Sequence, residues 1–181
     1  AVYSRLPESE RRRWHTVALA AVHALQPDAA TARLYHAEGA ADHPAIVAAA
    51  LDAGAQALQS IAPASAHQFF TRALGVIPPT QPEQRYRALL GRTRAAAMLA
   101  DTAAQQTDLQ TLTDLAAQIA DPQLQLEVLR EQVELHWTTG KLDQAEALAE
   151  TGLTLARRIE HRAGETALLE AQGRIARHRG R

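Results

Sequence analysis

The chain has 181 residues, 19 Lys and Arg against 20 Asp and Glu, a formal net charge of −1, 4% aromatic residues and no cysteine. Without cysteine there is no disulfide framework, no zinc–thiolate centre and no cysteine nucleophile, and the near-neutral balance argues against a dedicated nucleic-acid binder, which carries a marked basic excess. Alanine accounts for 40 residues while β-branched and aromatic types are thin, so helix is the expected state, in a chain long enough to bury a core without metals or crosslinks.

A first helix is expected after Leu6-Pro7, starting near Glu8 or Ser9, with Trp14, Val17, Ala18, Ala21, Val22 and Leu25 on one apolar stripe. Arg11, Arg12, Arg13 and His15 fall on its other face. Gln26-Pro27-Asp28 ends this helix, because the proline ring removes a backbone donor and disfavours helix at the residue before it. A second helix is expected over 29–40. Asp42-His43-Pro44 then introduces an alanine-rich helix over 45–60; Pro63 opens the next, which closes at Pro78-Pro79.

From Pro82 a long helix is expected to reach about 99, followed by a partner over 107–119, with the polar stretch 101–106 as their connection. Asp121-Pro122, an N-cap residue followed by proline, starts a helix that ends at Thr139-Gly140. Helices over 141–158 and 162–178 complete a set of nine. No segment alternates with the period of a strand, and the short connections favour antiparallel neighbours. Polar residues interrupt every apolar run well before the roughly 18 residues a membrane span needs, and the N-terminus lacks a signal-peptide layout. No membrane association and a cytoplasmic location are therefore the simplest expectations.

A repeat is visible in residues 139–153, where Gly140 makes a tight turn and Ala145, Ala149 and Gly152 supply small side chains at spacings of four and three. An earlier copy sets Ala50, Ala53, Gly54 and Ala57 on one helix and Ala66, Phe70, Ala73 and Pro78 on the next. Leu90-Gly91 and Gln172-Gly173 repeat the Ala53-Gly54 pair, and Gly180 falls forty residues after Gly140. These residues resemble tetratricopeptide repeats over about 45–181. Their anchors Gly54, Gly91, Val133 and Gly173 lie 37, 42 and 40 residues apart, longer than the usual spacing of about 34. Val133 stands where a small residue is usual, as do Gln110 and Asp114 where small or aromatic ones are.

The resemblance implies an all-α fold, a superhelical array of antiparallel helix hairpins of the α-solenoid kind. Gly180 then sits at an inter-helix turn, so the last repeat reads as truncated and the chain as a segment of a longer protein. Residues 1–44 read as a separate N-terminal helical hairpin. Tyr3-Ser4-Arg5-Leu6-Pro7-Glu8-Ser9-Glu10-Arg11-Arg12-Arg13-Trp14-His15, with the alanine-rich run from Tyr35 to Asp42, resembles the linker from the upstream ATPase and winged-helix modules of bacterial STAND-class and LuxR-type ATPase transcriptional regulators. In that family the repeats are a sensor arm that binds an inducer or a partner protein, while nucleotide and DNA sites lie in other domains.

Chemistry-bearing motifs are thin. The single Lys, Lys141, follows a lone glycine and makes no phosphate loop. Eight histidines never form His-Glu-x-x-His, and the closest cluster, His36, Glu38, Asp42 and His43, reads as a polar helix end. No nucleophile elbow or framed carboxylate pair is present. No enzyme activity, catalytic residue, cofactor or metal is expected. The repeat register instead places Arg85 and Arg92, then Glu127, Arg130, Glu134 and Trp137, then Glu170, Arg174 and Arg177 on first helices, which line the concave face in this family and grip peptides. The mixed charges suit an acidic or mixed-charge protein segment, from a partner or from another domain of the parent. Trp137 serves either as a binding anchor or as a filler between neighbouring helices. Two alternatives stay open: a small-molecule inducer held in a closed apolar pocket, and nucleic-acid contact through Arg85, Arg87, Arg92 and Arg94 with Tyr86.

Overall fold

The computed structural model describes residues 6–180, so Tyr3, Ser4 and Arg5 of the N-terminal resemblance, and Arg181, lie outside the described residues. The fold is all-α: α1 (Glu8–Leu25), α2 (Ala30–Ala40), α3 (His43–Gln59), α4 (Pro63–Val76), α5 (Pro82–Met98), α6 (Thr102–Ile119), α7 (Pro122–Thr138), α8 (Leu142–Arg158) and α9 (Arg162–His178). No strand is present among the described residues.

The turns set the helix lengths. Ala41, Ile61, Ala100, Ala120, Gly140, Glu160 and Gly180 all adopt left-handed backbone, with φ between 55° and 73°. From Ala100 onward these residues fall twenty apart, one in each connection from α5 to α9 and the last, Gly180, after α9. At three of them the next residue is an aspartate whose carboxylate caps the following helix. Asp42 accepts from Ala45 N at 3.0 Å, Asp101 from Ala104 N at 3.0 Å and Asp121 from Gln123 N at 2.8 Å. Each cap satisfies one of the orphan amides at a helix start. At Glu160-His161 the imidazole does the same work, with His161 Nδ1 accepting from Gly164 N at 2.9 Å.

Capping explains the one misplaced boundary. Residues 101–106 are not a connection: Asp101 starts α6 at Thr102, five residues ahead of the expected Thr107, and the polar run forms its first turns with Gln105 buried.

Two compact units make up the chain, Ala1–Leu99 and Ala100–Arg181. In the first, each helix from α1 to α5 packs on the next, and α3 also reaches α5. The junction at residue 44 lies inside this unit, with Arg33 of α2 bonded to Asp52 of α3 at 2.9 Å. Phe70 of α4 is the wedge of its core. A Cβ at Gly54 of α3 would lie 2.7 Å from the Phe70 ring, and one at Gly91 of α5 would also collide with it. In the second unit α6 to α9 pack in sequence, and α7 also packs on α9. Ala149, Leu153, Leu126, Val133 and Leu168 form its core, and a Cβ on Gly152 of α8 would lie 2.8 Å from Leu168 Cδ1. No helix among the described residues is long and apolar enough to cross a membrane.

The apolar stripe of α1 is not its buried face. Trp14 is 62% exposed and Leu25 80% exposed, with Val17 exposed as well, whereas His15 is buried. The reason lies on α2. Gly39 leaves a gap that any Cβ would deny to the His15 ring, and His15 Nδ1 lies 3.1 Å from His36 Nδ1. These contacts rotate α1 so that Trp14, Val17 and Leu25 turn outward.

Two changes test this account. Gly91→Val should lower unfolding free energy by more than about 2 kcal/mol, because the buried ring cannot yield without strain. In a Phe70→Ala background the same change should cost far less, a coupling that urea titration of the double-mutant cycle measures. Ile61 is a β-branched residue, 78% exposed, in left-handed backbone. Ile61→Gly should therefore raise the urea midpoint, by an amount corresponding to about 1 kcal/mol.

Candidate functional site

Three of the expected site residues come together in the second unit. Glu134 and Arg174 sit forty positions apart in sequence. They occupy the same register on α7 and α9, and their side chains form an ion pair across the two helices. The Arg174 guanidinium also lies over the Trp137 ring, 5.9 Å from its centroid. The same ring meets His178 at right angles, centroids 5.5 Å apart and planes at 89°. Trp137 is therefore half-buried between α7 and α9, with a cation on its face and an imidazole at right angles. A ring held this way loses little conformational freedom if a ligand covers it.

Around this cluster Arg130, Glu170 and Arg177 are exposed, and Glu127 is half-buried with a partner of its own. Glu170, Arg174 and Arg177 line an open hollow of about 540 Å³ along α9 with Leu169 and Gly173. A smaller hollow of about 180 Å³ lies beside Glu127, Arg130 and His161. The surface thus carries both signs on each helix: Glu127, Arg130 and Glu134 on α7, Glu170, Arg174 and Arg177 on α9.

Arg85 and Arg92 belong to the first unit and stand on α5. Arg85 is half-buried and donates to the Ile77 carbonyl at 3.3 Å, so it clamps the end of α4. Arg92 is half-buried and engaged within the protein. Tyr86, between Arg85 and Arg87, is 1% exposed and presents no face for a base to stack on. Among the described residues, no three His, Asp or Glu side chains converge as a metal site.

One cleft escaped the sequence reading. It measures about 670 Å³ and is lined by α6, α7 and α8, with Ala116, Val128, Leu129 and Leu155 as its apolar surface. Its signal was faint: exposed small and hydroxylic residues, Ala117, Thr151 and Thr154, where a solvated helix face carries long charged ones.

Comparison of the chain with protein-family models, with curated proteins and with solved structures gave no match.

His136, the neighbour of Trp137, gives this region a pH dependence. Its Nδ1 is buried without a partner. Burial first, and the charge of Lys141 second, lower its pKa from 6.5. As pH falls below 6.5, the unfolded chain takes up this proton before the folded one does, so stability present above 6.5 is lost on the way down to the folded pKa. Between pH 7.5 and 5 the wild type should therefore lose more unfolding free energy than His136→Leu, as read by urea titration at each pH.

Proposed function

We propose that the chain is a non-catalytic interaction module, an array of helical hairpins in the manner of tetratricopeptide repeats, within a larger cytoplasmic regulatory protein of the STAND class. Its binding surface is the face of α7 and α9, and what it holds is a protein segment of mixed charge, from a partner or from another domain of the parent. The observation that carries this reading is the Glu134–Arg174–Trp137 cluster. It fixes an aromatic ring and a guanidinium in place between two helices, flanked by the exposed charges of Arg130, Glu170 and Arg177. Preorganised aromatic and arginine side chains of this sort are the residues that dominate protein–protein binding energies. Charges of both signs on either side fix the register of an approaching segment more than they add affinity.

Peptides selected from a random display library against the full chain provide the test. Selected sequences should carry both acidic and basic residues, and Arg130→Glu/Arg177→Glu should weaken their binding at least tenfold, with Trp137→Ala weakening it by a similar factor. Circular dichroism checks that each variant remains helical. Peptides whose affinity ignores all three positions, or a selection that yields no binder, would remove α7 and α9 as the binding surface.

A further inference from the structure

The cleft between α6 and α8 has a chemistry of its own. Its volume of about 670 Å³ falls within the range of about 300–1,000 Å³ typical of small-molecule sites. A docked partner helix suits it poorly. The α6 wall runs only from Thr113 to Ala117, about one helical turn at about 1.5 Å per residue, whereas a stable protein interface covers about 800 Å² on each side.

Arg158 is the single charged residue of the lining. It is exposed and makes no ion pair or hydrogen bond with a described residue. No carboxylate shares the cleft with it. One and two turns before it on the same face of α8 stand Thr154 and Thr151. Their hydroxyl hydrogens are already committed, Thr154 Oγ1 donating to Glu150 O at 3.0 Å and Thr151 Oγ1 to Ala147 O at 3.0 Å. What these hydroxyls have left to offer a ligand is therefore lone pairs. Across it, Gln132 Nε2 donates to Thr113 Oγ1 at 3.1 Å, which ties α6 to α7 and holds the apolar floor of Val128 and Leu129 in place.

From this arrangement we propose that the cleft binds a compact amphipathic carboxylate. Its apolar body lies on Ala116, Val128, Leu129 and Leu155, its acid group meets Arg158, and a hydroxyl or amide hydrogen beside the acid is donated to Thr154 or Thr151. The site is separate from the α7 and α9 surface, and neither Arg130 nor Arg177 lines it.

Isothermal titration of the full chain with 3-hydroxydecanoate tests the assignment, with 1-decanol as the uncharged control. One saturable site per chain is expected, with the alcohol at least tenfold weaker. Arg158→Glu should weaken the acid at least tenfold by reversing the charge at the mouth, and Ala117→Trp should do the same by filling the cleft. Both positions are exposed, and circular dichroism confirms that each variant is folded. The proposal is overturned by the absence of saturable binding, by an alcohol that binds as tightly as the acid, or by an affinity unchanged in either variant. Since Arg130→Glu/Arg177→Glu leaves this cleft intact, it should bind the acid as the wild type does, which separates failure here from failure of the peptide-binding surface.

Discussion

Close approach between helices is the constraint from which the rest of the structure follows. Phe70 can enter the first unit only because α3 and α5 present bare glycine to its ring, and Leu168 reaches α8 in the second unit over Gly152. A core of this kind contains many alanines and few large side chains, so its dispersion energy comes from backbones brought near to one another. It tolerates little growth at its contact points. His15 obeys the same rule at the edge of the first unit: Gly39 of α2 decides which face of α1 is buried, against the hydrophobic pattern of α1 itself.

That episode marks the limit of what the sequence disclosed. Proline, glycine and aspartate punctuation located all nine helices, because each acts on the backbone within a residue or two of itself. Asp101 was overlooked as a start signal because its neighbours are polar and resemble a loop, yet an aspartate cap followed by an alanine pair is a helix beginning. The burial of His15 depends on a glycine twenty-four positions away, and no local period reports it. Small-residue register was more informative. It marked Gly54, Gly91 and Gly152 as contact points, and the structure puts each of them against a bulky partner.

Glu134 and Arg174 lie forty residues apart at matching positions of α7 and α9, a spacing visible in the sequence, and their side chains form an ion pair. Their engagement with each other and with Trp137 could not be read in advance, since it follows from side-chain reach across two helices. Arg85 shows the opposite outcome, a candidate that is spent on a main-chain carbonyl. The cleft between α6 and α8 went unseen because small and hydroxylic residues such as Ala117, Thr151 and Thr154 carry no local pattern that marks a cavity.

The twenty-residue spacing of the left-handed turns has a kinetic side. Within each unit every substantial contact joins helices that are adjacent in the chain or next but one, so the loops that must close during folding stay short. Low contact order of this kind goes with folding in microseconds to milliseconds. It also makes each hairpin a separable step on the landscape, able to form on whichever neighbour is already in place. A chain assembled this way can gain or lose a hairpin by in-frame duplication or deletion and keep most of the contacts within the hairpins that remain.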